Sequence, residues 1–156
     1  MSQNTSAIIL AAGKGTRMES DVPKVLHKLN NISLIERGIN TIRKLDCSKT
    51  IIVVGYQKNL IKKSLQKEPN IEYAIQKEQK GTAHAVKMCF ENLREFEGDV
   101  VILSGDVPLI SLKTLKELVK IKNKNNSKAS ILTADMDNPY GYGRIIRNED
   151  NSIKLM

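Results

Sequence analysis

The sequence predicts an α/β fold with three layers, in which helices cover both faces of a mostly parallel β-sheet. Short apolar runs alternate with amphipathic segments of helical period along the 156 residues, and this alternation is typical of right-handed βαβ units. Several apolar runs end in glycine-rich or polar loops, as buried strands that feed a ligand site do. A chain of this length buries enough apolar surface for one domain. We therefore expect a single domain over residues 1–156.

The individual elements follow from the apolar period and from the residues that break it. Residues 7–12 are a short apolar run that ends in glycines, and they predict the first buried strand. Ser33 and Glu36 form an S-x-x-E capping box, which predicts a helix that begins there and ends near Leu45. The same criteria predict strands at residues 50–54, 71–75, 100–103 and 129–134, helices at 58–66, 81–95 and 111–123, and a hairpin with arms at 143–147 and 152–155.

Three loops of the predicted sheet meet at one edge. Open α/β sheets bind ligands beyond the carboxyl ends of their parallel strands, at the point where the strand order reverses. The loops at residues 13–24, 76–82 and 104–108 each follow a predicted strand. This Rossmann-like arrangement therefore predicts a ligand site built from these three loops.

Composition argues against several classes of protein. A net charge of +8 permits a nucleic-acid binder, but aromatic residues make up only 4% of the chain and no RNA-recognition motif or zinc finger is present. The basic surface suits polyanionic phosphate substrates equally well. Cys47 and Cys89 are isolated in the sequence, so we expect reduced thiols rather than a disulfide or a zinc site. With no bilayer-length apolar run and no signal peptide, we expect a cytoplasmic protein without membrane contact.

The loop after the first strand has the composition of a phosphate-binding loop. Its small residues and glycines let the backbone approach a triphosphate with amide groups aimed at the oxygens, and Lys14, Arg17 and Lys24 add three cations. It is no Walker A loop, because apolar residues around Ile9 stand where the first glycine belongs. It is no dinucleotide fingerprint either, because Met18 replaces the third glycine. The candidate binding residues here are Leu10, Ala11, Ala12, Gly13, Lys14 and Gly15.

The run LAAGKGTRM, followed by PKVLH, resembles the signature of the nucleotidyltransferases that activate sugar 1-phosphates. Three further segments are QKEQKGTAHAV at 76–86, GDVPLI at 105–110 and NPYGYGRI at 138–145. They are similar to one branch, the N-terminal uridyltransferase domains of bacterial bifunctional N-acetylglucosamine-1-phosphate uridyltransferases and glucosamine-1-phosphate acetyltransferases. The resemblance runs in order from about residue 7 to residue 156, and it implies the fold of the nucleotide-diphospho-sugar transferases.

The resemblance implies a metal ligand and two catalytic cations. Asp106 would ligate Mg²⁺ through a carboxylate oxygen, which a hard cation prefers, although an aspartate at a strand end is also a common turn cap. Arg17 would stabilise the charge that builds on departing pyrophosphate, and Lys24 would contact the nucleotide phosphates. The same nucleotide site would include Ser104 and Gly105.

Further residues are implied for the base and the sugar. The side chain of Gln76 offers a donor and an acceptor that suit the edge of uracil, and Gly81 and Thr82 would hold the base and ribose. A surface polar role is the alternative for Gln76. Gly143 would bring the backbone close to the sugar, or would only serve the hairpin turn.

The implied reaction transfers UMP from UTP to N-acetylglucosamine 1-phosphate and releases pyrophosphate, in the supply of cell-envelope precursors. Mg²⁺ would bridge the two reacting phosphates, and positioning with charge neutralisation would dominate catalysis. A transferase for another nucleotide or phosphorylated substrate, and a non-catalytic nucleotide-binding module, are the alternatives. The resembled pattern continues past Met156. We therefore expect a domain incomplete at its C-terminus, with low turnover and with self-association through exposed core.

Overall fold

A four-stranded parallel sheet forms the centre of the protein. The computed structural model describes residues 4–15, 18, 20–150 and 152–155. In chain order its elements are β1 (Thr5–Ala11), a 3-10 turn (Lys24–Leu26), β2 (Lys28–Leu29), β3 (Ile32–Ser33), α1 (Leu34–Arg43), β4 (Lys49–Val54), α2 (Lys58–Ser64), β5 (Ile71–Ile75), α3 (Thr82–Lys87), β6 (Asp99–Ser104), α4 (Leu112–Lys124), β7 (Ile146–Arg147) and β8 (Ile153–Leu155).

The sheet has the strand order β5-β4-β1-β6, and every pairing in it is parallel. The chain moves outward from β1 through β4 to β5, then returns to the other side of β1 as β6. Ile8 of β1 is in register with Ile51 on one side and with Ile102 on the other. The reversal of strand order therefore lies between β1 and β6, which is where sheets of this class bind ligands.

The two faces of β1 pack into two separate apolar layers, because side chains alternate along a strand. Ala7, Ile9 and Ala11 face the layer that α1, α2 and α4 cover, whereas Ile8 and Ala12 face the layer beneath α3. The residues of these layers have little or no exposed surface. This arrangement confirms the predicted three-layer α/β class with a parallel sheet.

Helix α1 begins with the predicted capping box. The Ser33 side chain accepts a hydrogen bond from the backbone N–H of Glu36, and the Glu36 carboxylate accepts one from the backbone N–H of Ser33 at 2.8 Å. Ile35, Ile39 and Ile42 then recur on the buried face, as the helical period predicts. The hydrogen bonds from Ser33 lower the pKa of Glu36 below its usual range.

One predicted strand is wrong and one predicted helix is too long. Residues 129–134 form no strand, and Ile131 and Leu132 are 40% and 56% exposed. The run is apolar enough for a strand, but within the described residues it has no neighbour with which to form a ladder. Helix α3 ends at Lys87, and the chain continues to residue 95 in turns that include i→i−3 bonds such as Cys89 N–H to the Val86 carbonyl.

The remaining sequence expectations concern the hairpin and the thiols. Strands β7 and β8 pair antiparallel as predicted. Cys47 and Cys89 are free thiols, and burial raises the pKa of each to about 11, so both are protonated at neutral pH. Among the described residues, no helix combines the length and apolar character needed to cross a membrane.

We expect Ser33→Ala to lower the free energy of unfolding by about 1 kcal/mol, because the backbone N–H of Glu36 loses its cap. Denaturant unfolding at neutral pH measures this loss.

The pH dependence of the free energy of unfolding tests the other half of the capping box, the carboxylate of Glu36. A carboxylate whose folded pKa is depressed stabilises the fold above the pKa of unfolded glutamate, about 4.3, and this stabilisation is lost as the pH falls through the lower folded value. Glu36→Gln keeps an acceptor but does not titrate. Denaturant unfolding from pH 7 to pH 3 should therefore show a steeper acid loss in the native chain than in Glu36→Gln, and parallel curves would contradict the assignment.

Candidate functional site

A cavity of about 620 Å³ opens at the carboxyl ends of the strands, where the strand order reverses. Its walls come from the three loops that the sequence singled out. Together with the residues that flank these loops, the walls are formed by Leu10, Ala11, Ala12, Gly13, Gly15, Met18, Lys24 and Val25 in and around the first loop, by Gln76, Gln79, Gly81, Thr82 and Ala85 in and around the second, and by Ile102, Ser104 and Asp106 in and around the third. The cavity is therefore large enough for a nucleotide-sized ligand.

Gly15 brings the first loop back against Lys24. Its φ of +63° lies in the left-handed region, and a Cβ at this position would lie 2.9 Å from Cβ of Lys24. The Gly15 carbonyl also accepts a hydrogen bond from the backbone N–H of Met18 at 2.9 Å. Only glycine combines a left-handed φ with the absence of a Cβ atom at no cost in strain. The backbone of the loop therefore lies directly against Lys24, which is held at the cavity wall.

Lys24 forms an ion pair with Asp106 inside the cavity, with 2.6 Å between Nζ and Oδ2. Ser104 Oγ donates a hydrogen bond to the other carboxylate oxygen. Burial alone would raise the pKa of Asp106, but the hydrogen bonds from Lys24 and Ser104 outweigh it and hold this pKa below its usual range. Asp106 is therefore a carboxylate at neutral pH, and its charge is balanced by a residue 82 positions earlier.

The carboxylate of Asp106 and the hydroxyl of Ser104 form an oxygen-donor set at the cavity wall. The described residues contain no cluster of three His, Cys, Asp or Glu side chains that could enclose a metal ion. Mg²⁺ in nucleotide sites is commonly bound by one or two carboxylates together with substrate phosphates. The donors present fit a magnesium ion that arrives with a nucleotide, and they do not fit a closed all-protein site.

The opposite end of the cavity is built around Gln76, which is only 4% exposed. Its backbone N–H continues the sheet ladder to the Val54 carbonyl at 2.8 Å. Its side-chain Nε2 lies 3.1 Å from the Gly81 carbonyl and 3.1 Å from Nδ1 of His84. The interpretation of Gln76 as a surface residue is excluded by this burial, whereas its role toward a ligand stays a prediction.

Gln79 links the second loop to the first, and its role was not predicted from the sequence. Its Nε2 donates to the Ala12 carbonyl at 2.7 Å, and the same carbonyl accepts a second hydrogen bond from the backbone N–H of Tyr56. His84 was missed in the same way, although both residues lie in the segment 76–86 that the resemblance includes. The feature of the sequence that could have identified Gln79 is its position, three residues after Gln76 in the same segment.

Some of the predicted residues do not line the cavity. Lys14 is exposed and is not among the residues that form the cavity wall. Gly143 is also exposed, and it lies close in sequence to the C-terminal hairpin and does not line the cavity. Gly105 is buried beneath the cavity, where its N–H donates to the Leu10 carbonyl at 2.9 Å and joins β6 to β1. Arg17 lies outside the described residues. Its role therefore stays a prediction.

Comparison with known proteins connects this geometry to a family. Residues 7–148 match the family model described as MobA-like NTP transferase domain. The chain is 48% identical over 145 residues to bifunctional protein GlmU of Picosynechococcus sp., and 48% identical over 148 residues to that of Clostridium acetobutylicum. These alignments cover 93% and 95% of this chain and 32% of each relative, so the chain spans about a third of the length of the relatives it matches.

Solved structures agree on the fold. A UDP-glucose pyrophosphorylase in complex with UDP-glucose superposes with a TM-score of 0.64 at 18% identity, covering 79% of this chain and 55% of the other. A nucleotidyl transferase from Methanothermobacter thermautotroptrophicus superposes with a TM-score of 0.62 at 21% identity, covering 77% and 58%. At such identities the likeness establishes the nucleotide-diphospho-sugar transferase fold.

We expect Gly15→Ala and Gly13→Ala to behave differently although they change the same loop. Alanine at position 15 meets Lys24 and adopts a left-handed conformation, at a cost of roughly 1–2 kcal/mol of unfolding free energy. Alanine at position 13 has no atom within 4 Å of its Cβ, so its stability should stay within about 0.5 kcal/mol of the native value. Denaturant unfolding of the two variants measures both effects, and equal losses would contradict the close approach of Gly15 to Lys24.

Proposed function

The chain belongs to the MobA-like NTP transferase domain family, and on this premise we propose that it transfers UMP from UTP to N-acetylglucosamine 1-phosphate and releases pyrophosphate. The products would be UDP-N-acetylglucosamine, a precursor for the cell envelope, and pyrophosphate. The observation that supports this proposal best is the single cavity in which a glycine loop, the Lys24–Asp106 ion pair and the amide of Gln76 meet.

The proposed reaction needs no protein nucleophile. A phosphate oxygen of the sugar phosphate, already an anion, forms a bond to the α-phosphorus of UTP, and the bond from that phosphorus to the β-phosphate oxygen breaks with its electron pair on pyrophosphate. The protein has to align the two phosphates and neutralise their charge. Backbone groups of Gly13 and Gly15 at the cavity wall, together with Lys24, suit the triphosphate.

Lys24 has a second part in the proposed cycle. Its ammonium group is the counter-ion of Asp106. An entering triphosphate offers this ammonium several more acceptors, and Lys24 would then move to the phosphates and release one carboxylate oxygen. Mg²⁺ bound at Asp106 would supply further neutralisation of the reacting phosphates. Arg17 would act on the departing pyrophosphate, as the resemblance implies.

The proposal is tested by pyrophosphate release in mixtures of the chain with Mg²⁺, each of the four nucleoside triphosphates and several sugar 1-phosphates. Release that requires UTP and N-acetylglucosamine 1-phosphate is the expected result. Release with a different pair would assign the chain to another transferase of the family. Tight UTP binding in calorimetry without any release would favour the non-catalytic alternative, and binding of single-stranded RNA but not of nucleotides would overturn the proposal.

Asp106→Asn should lower the rate of pyrophosphate release by about two to three decades, because a neutral amide is a weaker ligand for Mg²⁺ than a carboxylate. Asp99→Asn is the matched control, since Asp99 begins β6, whereas Asp106 follows the end of this strand, and Asp99 is also paired with a lysine, Lys122. The control should alter the melting temperature and leave the rate within about threefold. Equal rate losses in the two variants would contradict the assignment of Asp106.

Arg17→Ala should lower kcat more than it raises KM, since its help grows as pyrophosphate departs. Losing such a contact typically raises the barrier by roughly 2–4 kcal/mol. Lys14→Ala removes a cation from the same loop that does not line the cavity, and its kcat should stay near the native value. A raised KM with normal kcat in Arg17→Ala would show that Arg17 only binds substrate.

A further inference from the structure

The amide of Gln76 is held in one orientation by two acceptors. A backbone carbonyl can only accept a hydrogen bond, so the atom of Gln76 that lies 3.1 Å from the Gly81 carbonyl is the NH₂ group. The same nitrogen lies 3.1 Å from His84 Nδ1, which must then accept, and the imidazole hydrogen is on Nε2. Both amide hydrogens of Gln76 are used within the protein.

The carbonyl oxygen of Gln76 is the polar atom that remains for a ligand. The residue is 4% exposed and lines the cavity, and none of the hydrogen bonds of the described residues uses its Oε1. This oxygen is also absent from the fully buried polar atoms that lack a partner among the described residues. A ligand in the cavity therefore meets an acceptor here, and not a donor.

We propose that His84 determines the base specificity of the site by fixing the amide of Gln76 so that only its oxygen faces the ligand. This inference rests on the proposed function and extends it to the choice of nucleotide. The N3 atom of uracil carries a hydrogen and can donate to Oε1. The N3 atom of cytosine carries a lone pair instead, and it would place acceptor against acceptor.

His84 makes the orientation of Gln76 costly to reverse. Turning the amide by 180° would bring Oε1 against the Gly81 carbonyl, an acceptor that it cannot bond, and it would require the imidazole hydrogen of His84 to move from Nε2 to Nδ1. Without the imidazole, only the Gly81 carbonyl opposes the turn. The residue acts through Gln76 and is a positioning residue, and its place in α3, two residues after Thr82, keeps its ring against the amide.

The experiment measures the affinities of the chain for UTP, CTP and N3-methyl-UTP by calorimetry, in the native protein and in His84→Leu and His84→Asn. Leucine removes the acceptor. The Oδ1 atom of asparagine occupies nearly the same position as Nδ1 of histidine and can accept the same hydrogen bond. His27→Leu changes the other histidine of the chain and is the matched control. Melting temperatures in the presence of UTP check that each variant is folded.

The native protein should bind UTP at least about tenfold more tightly than CTP and N3-methyl-UTP, since an unmet hydrogen bond in a buried site costs this much. His84→Leu should lower the ratio of UTP to CTP affinity by about tenfold, and His84→Asn should restore it to within about threefold. An unchanged ratio in His84→Leu, or a loss of ratio in His27→Leu as well, would overturn the role of His84 while leaving the proposed function in place. Failure of the native chain to bind any nucleotide would overturn both.

Discussion

The parallel pairing of β1 with β4 on one side and β6 on the other is the constraint from which the rest of the structure follows. A strand in the middle of a sheet must satisfy its N–H and C=O groups on both edges and bury both faces, and β1 does so with the apolar residues 7–11. Because all four strands run the same way, the loops that follow them lie at one edge. The cavity is the space between those loops, and Gly105 joins two of them through the Leu10 carbonyl.

The charge of Asp106 in the cavity is balanced within the protein. The carboxylate of Asp106 is partly buried, and Lys24 and Ser104 satisfy both of its oxygens. A buried carboxylate without such partners would be unstable in its charged form. Around Gln76 the cavity wall is instead held by hydrogen bonds from its amide to the Gly81 carbonyl and to His84. The cavity thus combines a charged pair, Lys24 and Asp106, with a hydrogen-bonded amide, Gln76.

The sequence predicted the strands of the sheet well because their residues are apolar on both faces, a pattern that few other structures require. The same rule predicted a strand at residues 129–134, and this prediction is wrong. An apolar run indicates that a segment tends to be buried, but it does not show that a neighbouring strand is available for backbone hydrogen bonds. The loops were found from their glycines and charges, but Gln79 and His84 were not. Gln79 contacts a segment that is distant in the sequence, because its side chain donates to the Ala12 carbonyl. No local sequence pattern predicts that these two residues lie side by side.

The position of β6 in the sheet also affects how the protein can fold. β1 is the first strand of the described chain, yet the partner of Thr5 on one side is Asp99, and the partner of Ser6 on the other side is Lys49. Such pairings between distant residues are slow to form, because a long segment must close before its contacts are gained. At a synthesis rate of about 5–20 residues per second, roughly 5–20 seconds pass between the synthesis of β1 and that of β6. During that interval one edge of a strongly apolar strand is open to other chains, so the time of greatest aggregation risk falls before the site exists.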